Sequence, residues 1–227
     1  EGNYIQYSYD GRGNITEQRK VSKTPGSPSD IVISAVYPDL CSNTKTCNKP
    51  KWVIDARGYQ TDYTYDDVHG GVLTATSPSP SATGVRPQTR YTYTAMQAYY
   101  KNSAGSIVAS GQPIYVQTEI SSCQTASSCA GSSDEVKTTT SYGSQATGTA
   151  NNLLPLSIST GSGDGTLIAT RTMTYDDVGN ILTVDGPLTG TADTVRYRYD
   201  GVRQLIGAVG PDPDGASGAL KNRAMRY

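Results

Sequence analysis

A tyrosine–aspartate pattern recurs along this chain and restricts its fold more than any other feature. It reads almost the same four times: Tyr7-Ser8-Tyr9-Asp10-Gly11-Arg12-Gly13-Asn14, Tyr63-Thr64-Tyr65-Asp66-Asp67-Val68-His69-Gly70, Met173-Thr174-Tyr175-Asp176-Asp177-Val178-Gly179-Asn180 and Tyr197-Arg198-Tyr199-Asp200-Gly201. Looser echoes stand at Tyr91-Thr92-Tyr93 and Thr140-Ser141-Tyr142, and Tyr227 falls where another copy would begin. A small unit that cannot bury itself alone must stack on its neighbours, so the repeat predicts one repetitive architecture from residue 1 to residue 227.

Each unit reads as a β-hairpin. In an extended chain residues i and i+2 share a face, so Tyr7 projects with Tyr9, Tyr63 with Tyr65 and Tyr197 with Tyr199. The Asp-x-x-Gly-Asn that follows is turn chemistry: Asp bonds its own backbone, while Gly13, Gly179, Asn14 and Asn180 tolerate positive φ. His69 occupies the slot that Gly179 holds in the related turn. A short apolar run then re-enters, as at Ile181-Leu182-Thr183-Val184. The expected fold is all-β with little or no helix; the stretch from Tyr93 to Val108, the best helical candidate, is broken by Gly105 and lacks an apolar stripe. A degenerate further copy is expected around Ile31 to Tyr37.

The aromatic set is 17 Tyr, one Trp and no Phe. A dry core has no reason to avoid Phe, whereas Tyr suits a face whose rings pack together while their hydroxyls reach water. The sheet is therefore expected to have two wet faces. With 19 basic and 20 acidic residues spread without blocks, the sequence predicts neither a nucleic-acid partner nor membrane insertion. The chain opens on Glu1 without Met, which points to a piece of something longer.

The four cysteines form two pairs of identical spacing, Cys41/Cys47 and Cys123/Cys129, in polar stretches that read as insertions between repeats. Two local disulfides are the preferred reading, with zinc ligation and free thiols as alternatives; zinc lacks nearby histidines. Disulfides imply a secreted or cell-surface setting, periplasmic or extracellular.

The search for chemistry assigns no catalytic, metal or cofactor residue. His69 is the single histidine and sits in a turn. Asp66-Asp67 and Asp176-Asp177 are adjacent pairs whose members point apart, so they form turns rather than acid–base couples. Gly215-Ala216-Ser217-Gly218 is one residue short of a nucleophile elbow. The loops Gly161 to Gly165 and Asp212 to Gly215 lack the full calcium ligand series. Asn14-Ile15-Thr16 matches a glycosylation acceptor, but the turn already accounts for it.

Tyr9-Asp10-Gly11-Arg12-Gly13-Asn14-Ile15 and Tyr175-Asp176-Asp177-Val178-Gly179-Asn180-Ile181 resemble the YD, or Rhs, repeat in full; Tyr65-Asp66 and Tyr199-Asp200 carry it in part, and Val53 to Tyr59 is similar to its D-x-x-G segment. The resemblance implies a β-ribbon spiralling into a hollow shell, of which this chain would form an arc. In bacterial toxins of that family the shell encloses a C-terminal toxin domain. The resemblance thus implies a non-enzymatic structural segment, partnered by flanking repeats or other copies through open β-edges and by an enclosed toxin domain. A second reading is an adhesin-like module that grips glycan or surface protein through its Tyr rows and Cys-clipped loops. No autoproteolytic residue carries over, because the segment after Asp212-Pro213-Asp214-Gly215 reads as another repeat.

Overall fold

The computed structural model describes residues 2–24, 26, 29–81, 84–215 and 218–227. Ala216 and Ser217, part of the elbow-like stretch, lie outside the described residues. Among the described residues the chain is all-β, with seventeen strands and no helix.

Residues 1–92 with 120–135 form one compact unit, and residues 93–119 with 136–227 form a second. The first contains β1 (Tyr4–Tyr9), β2 (Ile15–Val21), β3 (Ile31–Val36), β4 (Trp52–Ile54), β5 (Gln60–Tyr65) and β6 (Val72–Thr76). Three strands contribute residues to both units: β7 (Gln88–Met96), β10 (Ile114–Cys123) and β11 (Glu135–Ser141). The second unit adds β8 (Tyr99–Lys101), β9 (Ile107–Ala109), β12 (Ser157–Ser162), β13 (Ile168–Tyr175), β14 (Ile181–Asp185), β15 (Val195–Tyr199), β16 (Leu205–Val209) and β17 (Ala224–Arg226). Fifteen strands pair in chain order, with only β8 and β9 set aside as a hairpin of their own. The stretch weighed as a helical candidate is thus β7, β8 and β9, and the degenerate copy expected at Ile31 is β3.

The registers separate two faces. Tyr63 pairs with Ala75 and Tyr197 with Ala208, while Met173, which replaces the first tyrosine of its copy, pairs with Val184. The small partner leaves room for the ring, and neighbouring rings meet at 6.4 Å in both Tyr7–Tyr9 and Tyr63–Tyr65. On the opposite face hydroxyls pair across strands: Thr64 with Thr74 and Thr174 with Thr183 at 2.6 Å, and Thr138 with Thr160 at 3.0 Å. Such cross-strand pairs each contribute a few tenths to ~1 kcal/mol.

No large side chain among the described residues is fully buried. The least exposed apolar groups are Cys47, Cys123, Cys129, Met173 and Ala208, and the least exposed polar ones Ser121, Glu135 and Thr194. Half-buried positions dominate the strands, and all six residues of β1 are exposed. Cohesion therefore rests on ladders, turns and cross-strand pairs rather than on a central core.

Candidate functional site

The most repeated local structure is the turn that closes the hairpins. At Asp10 the backbone carbonyl accepts the Gly13 N–H at 3.1 Å, and the Asp10 N–H reaches the Asn14 carbonyl at 2.9 Å. The Asp10 carboxylate accepts the N–H groups of Arg12 and Asn14, both at 2.9 Å, and the Asn14 side-chain amide at 2.8 Å. Gly13 takes φ +83°, and the ladder slips by one residue between Ser8 and Tyr9. This is a tight turn closed by a glycine bulge.

The same backbone bonds recur at Asp55, Asp176 and Asp200, and again at Asn102, where Gly105 has φ +82°. The carboxylate bonds recur with them: Asp176 accepts Val178 and Asn180 N–H at 3.0 and 2.8 Å, and Asp200 accepts Val202 and Gln204 at 2.9 Å each. Asn102 does the same with its amide oxygen toward Ala104 and Ser106. That turn escaped the sequence reading because Asn stands for Asp; Asn102-Ser103-Ala104-Gly105 shows the signal once either residue is allowed. Asp200 departs differently, since Arg203 fills the glycine slot at φ +68°.

His69 is not in the glycine slot, contrary to the alignment read from sequence. The Asp66 loop is one residue longer: Gly70, at φ +73°, bonds the Asp66 carbonyl, and Asp66 N–H reaches Gly71. His69 is the inserted residue. Its Nδ1 accepts the Gly71 N–H at 3.0 Å, a bond that the aspartate makes in the other turns, and its Nε2 lies 3.4 Å from Asp66.

These bonds hold the carboxyls of Asp10, Asp55, Asp66 and Asp176 below the usual carboxylate range. The Asn14 side-chain amide is the largest cause for Asp10, the Asn180 amide for Asp176, the Tyr59 backbone N–H for Asp55 and the His69 backbone N–H for Asp66. Asn14 also gives its amide to Asn48, so the acceptor-like Asn14-Ile15-Thr16 is engaged in the turn.

The second tyrosine of a unit has a further partner. Tyr65 donates its hydroxyl to the Pro50 carbonyl at 2.9 Å, Tyr175 to Pro155 at 2.6 Å, and Tyr142 to Gln117 at 3.0 Å. Burial pushes the Tyr65 hydroxyl up to about 12 and raises that of Tyr175. The hydroxyls expected to reach water are, in these three half-buried tyrosines, each engaged as donors to a backbone carbonyl. Pro50 and Pro155 occupy equivalent places. The residue after each, Lys51 or Leu156, donates its N–H to the preceding strand and accepts from Tyr63 or Met173. Proline two residues before a short strand was the available signal.

Cys41 is bonded to Cys47 and Cys123 to Cys129. The first loop is clamped between two turns. Arg12 donates to the carbonyls of Asp39 at 3.0 Å and Cys47 at 3.3 Å, and to that of Pro38; Asn43 donates to Asp67, and Lys49 to the Gly70 carbonyl while lying over the Tyr65 ring. In the second loop Arg90 reaches the Ser127 carbonyl, and Asp134 accepts Thr125 through N–H and hydroxyl at 3.0 and 2.7 Å. Buried Glu135 accepts Gly131 N–H at 2.8 Å and the Ser121 hydroxyl. Cys123, Cys129 and Asp134 cluster within 4.8 Å, but both sulfurs are joined to each other and offer no thiolate to a metal.

The geometry can hold turns, loops and strand pairs in register. Asp66 and Asp67 are engaged separately, the first by its own turn and the second by Asn43.

No family model and no curated protein sequence matches the chain. Solved structures do. The crystal structure of TcdB2–TccC3–Cdc42 matches with a TM-score of 0.58 at 15% identity, over 98% of this chain and 10% of that one. The Photorhabdus luminescens Tc holotoxin pore matches with a TM-score of 0.35 at 14% identity, over 100% and 13%. A porin-like protein from Bacteroides uniformis gives 0.44 at 15%, over 98% and 88%. The first of these likenesses shows that the chain shares its fold with a stretch of that protein. This chain spans a tenth of the length of the TcdB2–TccC3 chain it matches.

Proposed function

We propose that residues 1–227 form a non-enzymatic structural segment of a secreted or cell-surface YD-repeat protein, an arc of a β-shell that encloses or presents another domain. The observation that carries this reading is the turn: the same set of backbone and Asp or Asn bonds closes five hairpins, at Asp10, Asp55, Asn102, Asp176 and Asp200. The shared fold with a stretch of TcdB2–TccC3 supports it. Asp66, His69 and Asp176, which sequence alone offered as chemistry, each accept backbone N–H groups of their own turns. Two disulfides suit an oxidising, extracytoplasmic setting. The partners are flanking repeats or other copies, paired at open strand edges such as β1, and an enclosed toxin domain.

One observation favours the second reading, a glycan- or protein-binding module. Tyr7 and Tyr9 stand side by side on an exposed strand, with Tyr9 58% accessible. Both Cys loops, by contrast, are tied into the scaffold by several bonds.

Cryo-electron microscopy of the full-length protein containing this segment tests the proposal. The segment is expected in the wall of a closed β-shell around an interior volume. Finding it in a solvated, extended stalk would overturn the reading.

A further inference from the structure

The chain as a whole is nearly neutral, yet from Val195 to Tyr227 it carries six Lys and Arg against three Asp. Those three acids are engaged by their own loops: Asp200 by its turn, Asp212 by the Asp214 N–H, and Asp214 by the Leu220 N–H. Among the described residues no ion pair or side-chain hydrogen bond uses Arg196, Arg198 or Arg226.

Register brings these three together. Arg198 pairs with Gly207, and Gly207 pairs with Arg226, so both arginines flank a residue without a side chain. Arg196 lies two residues from Arg198 and therefore on the same face. All three are exposed. The Cβ positions mark a triangle of ~7 Å along the strand by ~10 Å across two strand spacings. An open hollow of about 590 Å³ is lined by the three arginines and Gly207, with Tyr197 and Tyr227 beside them.

We propose that Arg196, Arg198 and Arg226 form a binding site for a sulfate or phosphate monoester carried on an acidic glycan. Guanidinium groups present planar forks that match oxyanions in bidentate fashion, and three forks around an open centre suit a three-oxygen ester better than a two-oxygen carboxylate. The patch is too short to track a nucleic-acid backbone. The site is independent of the shell reading, since it requires only the β15–β16–β17 register.

Binding of fluorescent dextran sulfate to the 227-residue chain tests this, with polyphosphate, uncharged dextran and poly-L-glutamate as parallel probes. The site predicts binding of dextran sulfate or polyphosphate, weakening as salt rises, with the ratio of the two assigning the preferred ester. R198Q/R226Q is expected to bind at least tenfold more weakly with an unchanged melting temperature. R198K/R226K, which keeps charge and loses the forks, should fall between the two. The proposal is overturned if neither polyanion binds, if poly-L-glutamate binds as tightly, if R198Q/R226Q binds like the parent, or if R198K/R226K loses nothing.

Discussion

Tyr65 and Tyr175 show why this chain prefers tyrosine to phenylalanine. In each the hydroxyl closes on the Pro50 or Pro155 carbonyl, and the Tyr65 ring also stacks beside that of Tyr63. Removing that hydroxyl leaves a half-buried carbonyl short of a donor, at a cost of about 1 kcal/mol. Tyr65→Phe and Tyr175→Phe are each expected to lower the unfolding free energy obtained from urea titration by that amount, whereas Tyr9→Phe, at an exposed ring, should leave it unchanged. The glycine slot makes a second case at the same scale. Gly13 has open space where a Cβ would go, so Gly13→Ala isolates the cost of positive φ, about 1 to 2 kcal/mol. Arg203 bears that cost already, and Arg203→Gly is expected to raise stability by about 1 kcal/mol in the same denaturation measurement.

At the scale of the element, the Asp-closed turn makes stability sensitive to acid. The folded carboxyls of Asp10, Asp55, Asp66 and Asp176 lie below their ordinary values. A depressed folded pKa means that the unfolded chain takes up protons first as pH falls. The contribution is therefore complete above the unfolded value of about 3.9 and disappears as pH drops through the folded value. Urea midpoints measured from pH 6 to 2 should hold until about pH 4 and then decline, and Asp55→Asn, which copies the natural Asn102 turn, should decline less. The disulfides act on the same scale. Closing so short a loop is worth ~2 kcal/mol on the chain-entropy model, so C123S/C129S is expected to lower the melting temperature by a few degrees while the far-UV spectrum stays that of a sheet.

The hairpins were legible in the sequence because the turn has a fixed grammar: an acceptor side chain, a positive-φ slot and a closing residue. Where the grammar was altered by a single substitution, as at Asn102, or by an insertion, as at His69, the reading missed the turn or misplaced its glycine. The carbonyl partners of Tyr65 and Tyr175 lie 15 and 20 residues upstream, and separations that vary with loop length leave no fixed spacing to read. The clamping of the first Cys loop by Arg12 and Asn43 was likewise hidden, since it depends on which turns the fold brings beside the loop.

At the scale of the whole molecule, few side chains are removed from water and few motifs are unique. Stability is a sum over hairpins and their interfaces, so a lesion in one unit should destabilise without erasing a ligand. The direct measurement is thermal unfolding of Tyr63→Ala and Tyr197→Ala beside the parent chain, with binding to a glycan array scored on the same preparations. Tyr63 and Tyr197 pack over Ala75 and Ala208, and truncating each is expected to cost about 2 kcal/mol, seen as a lower melting temperature with no array signal lost. Unchanged melting temperatures together with glycan binding that vanishes in both variants would contradict a structural role for the repeat.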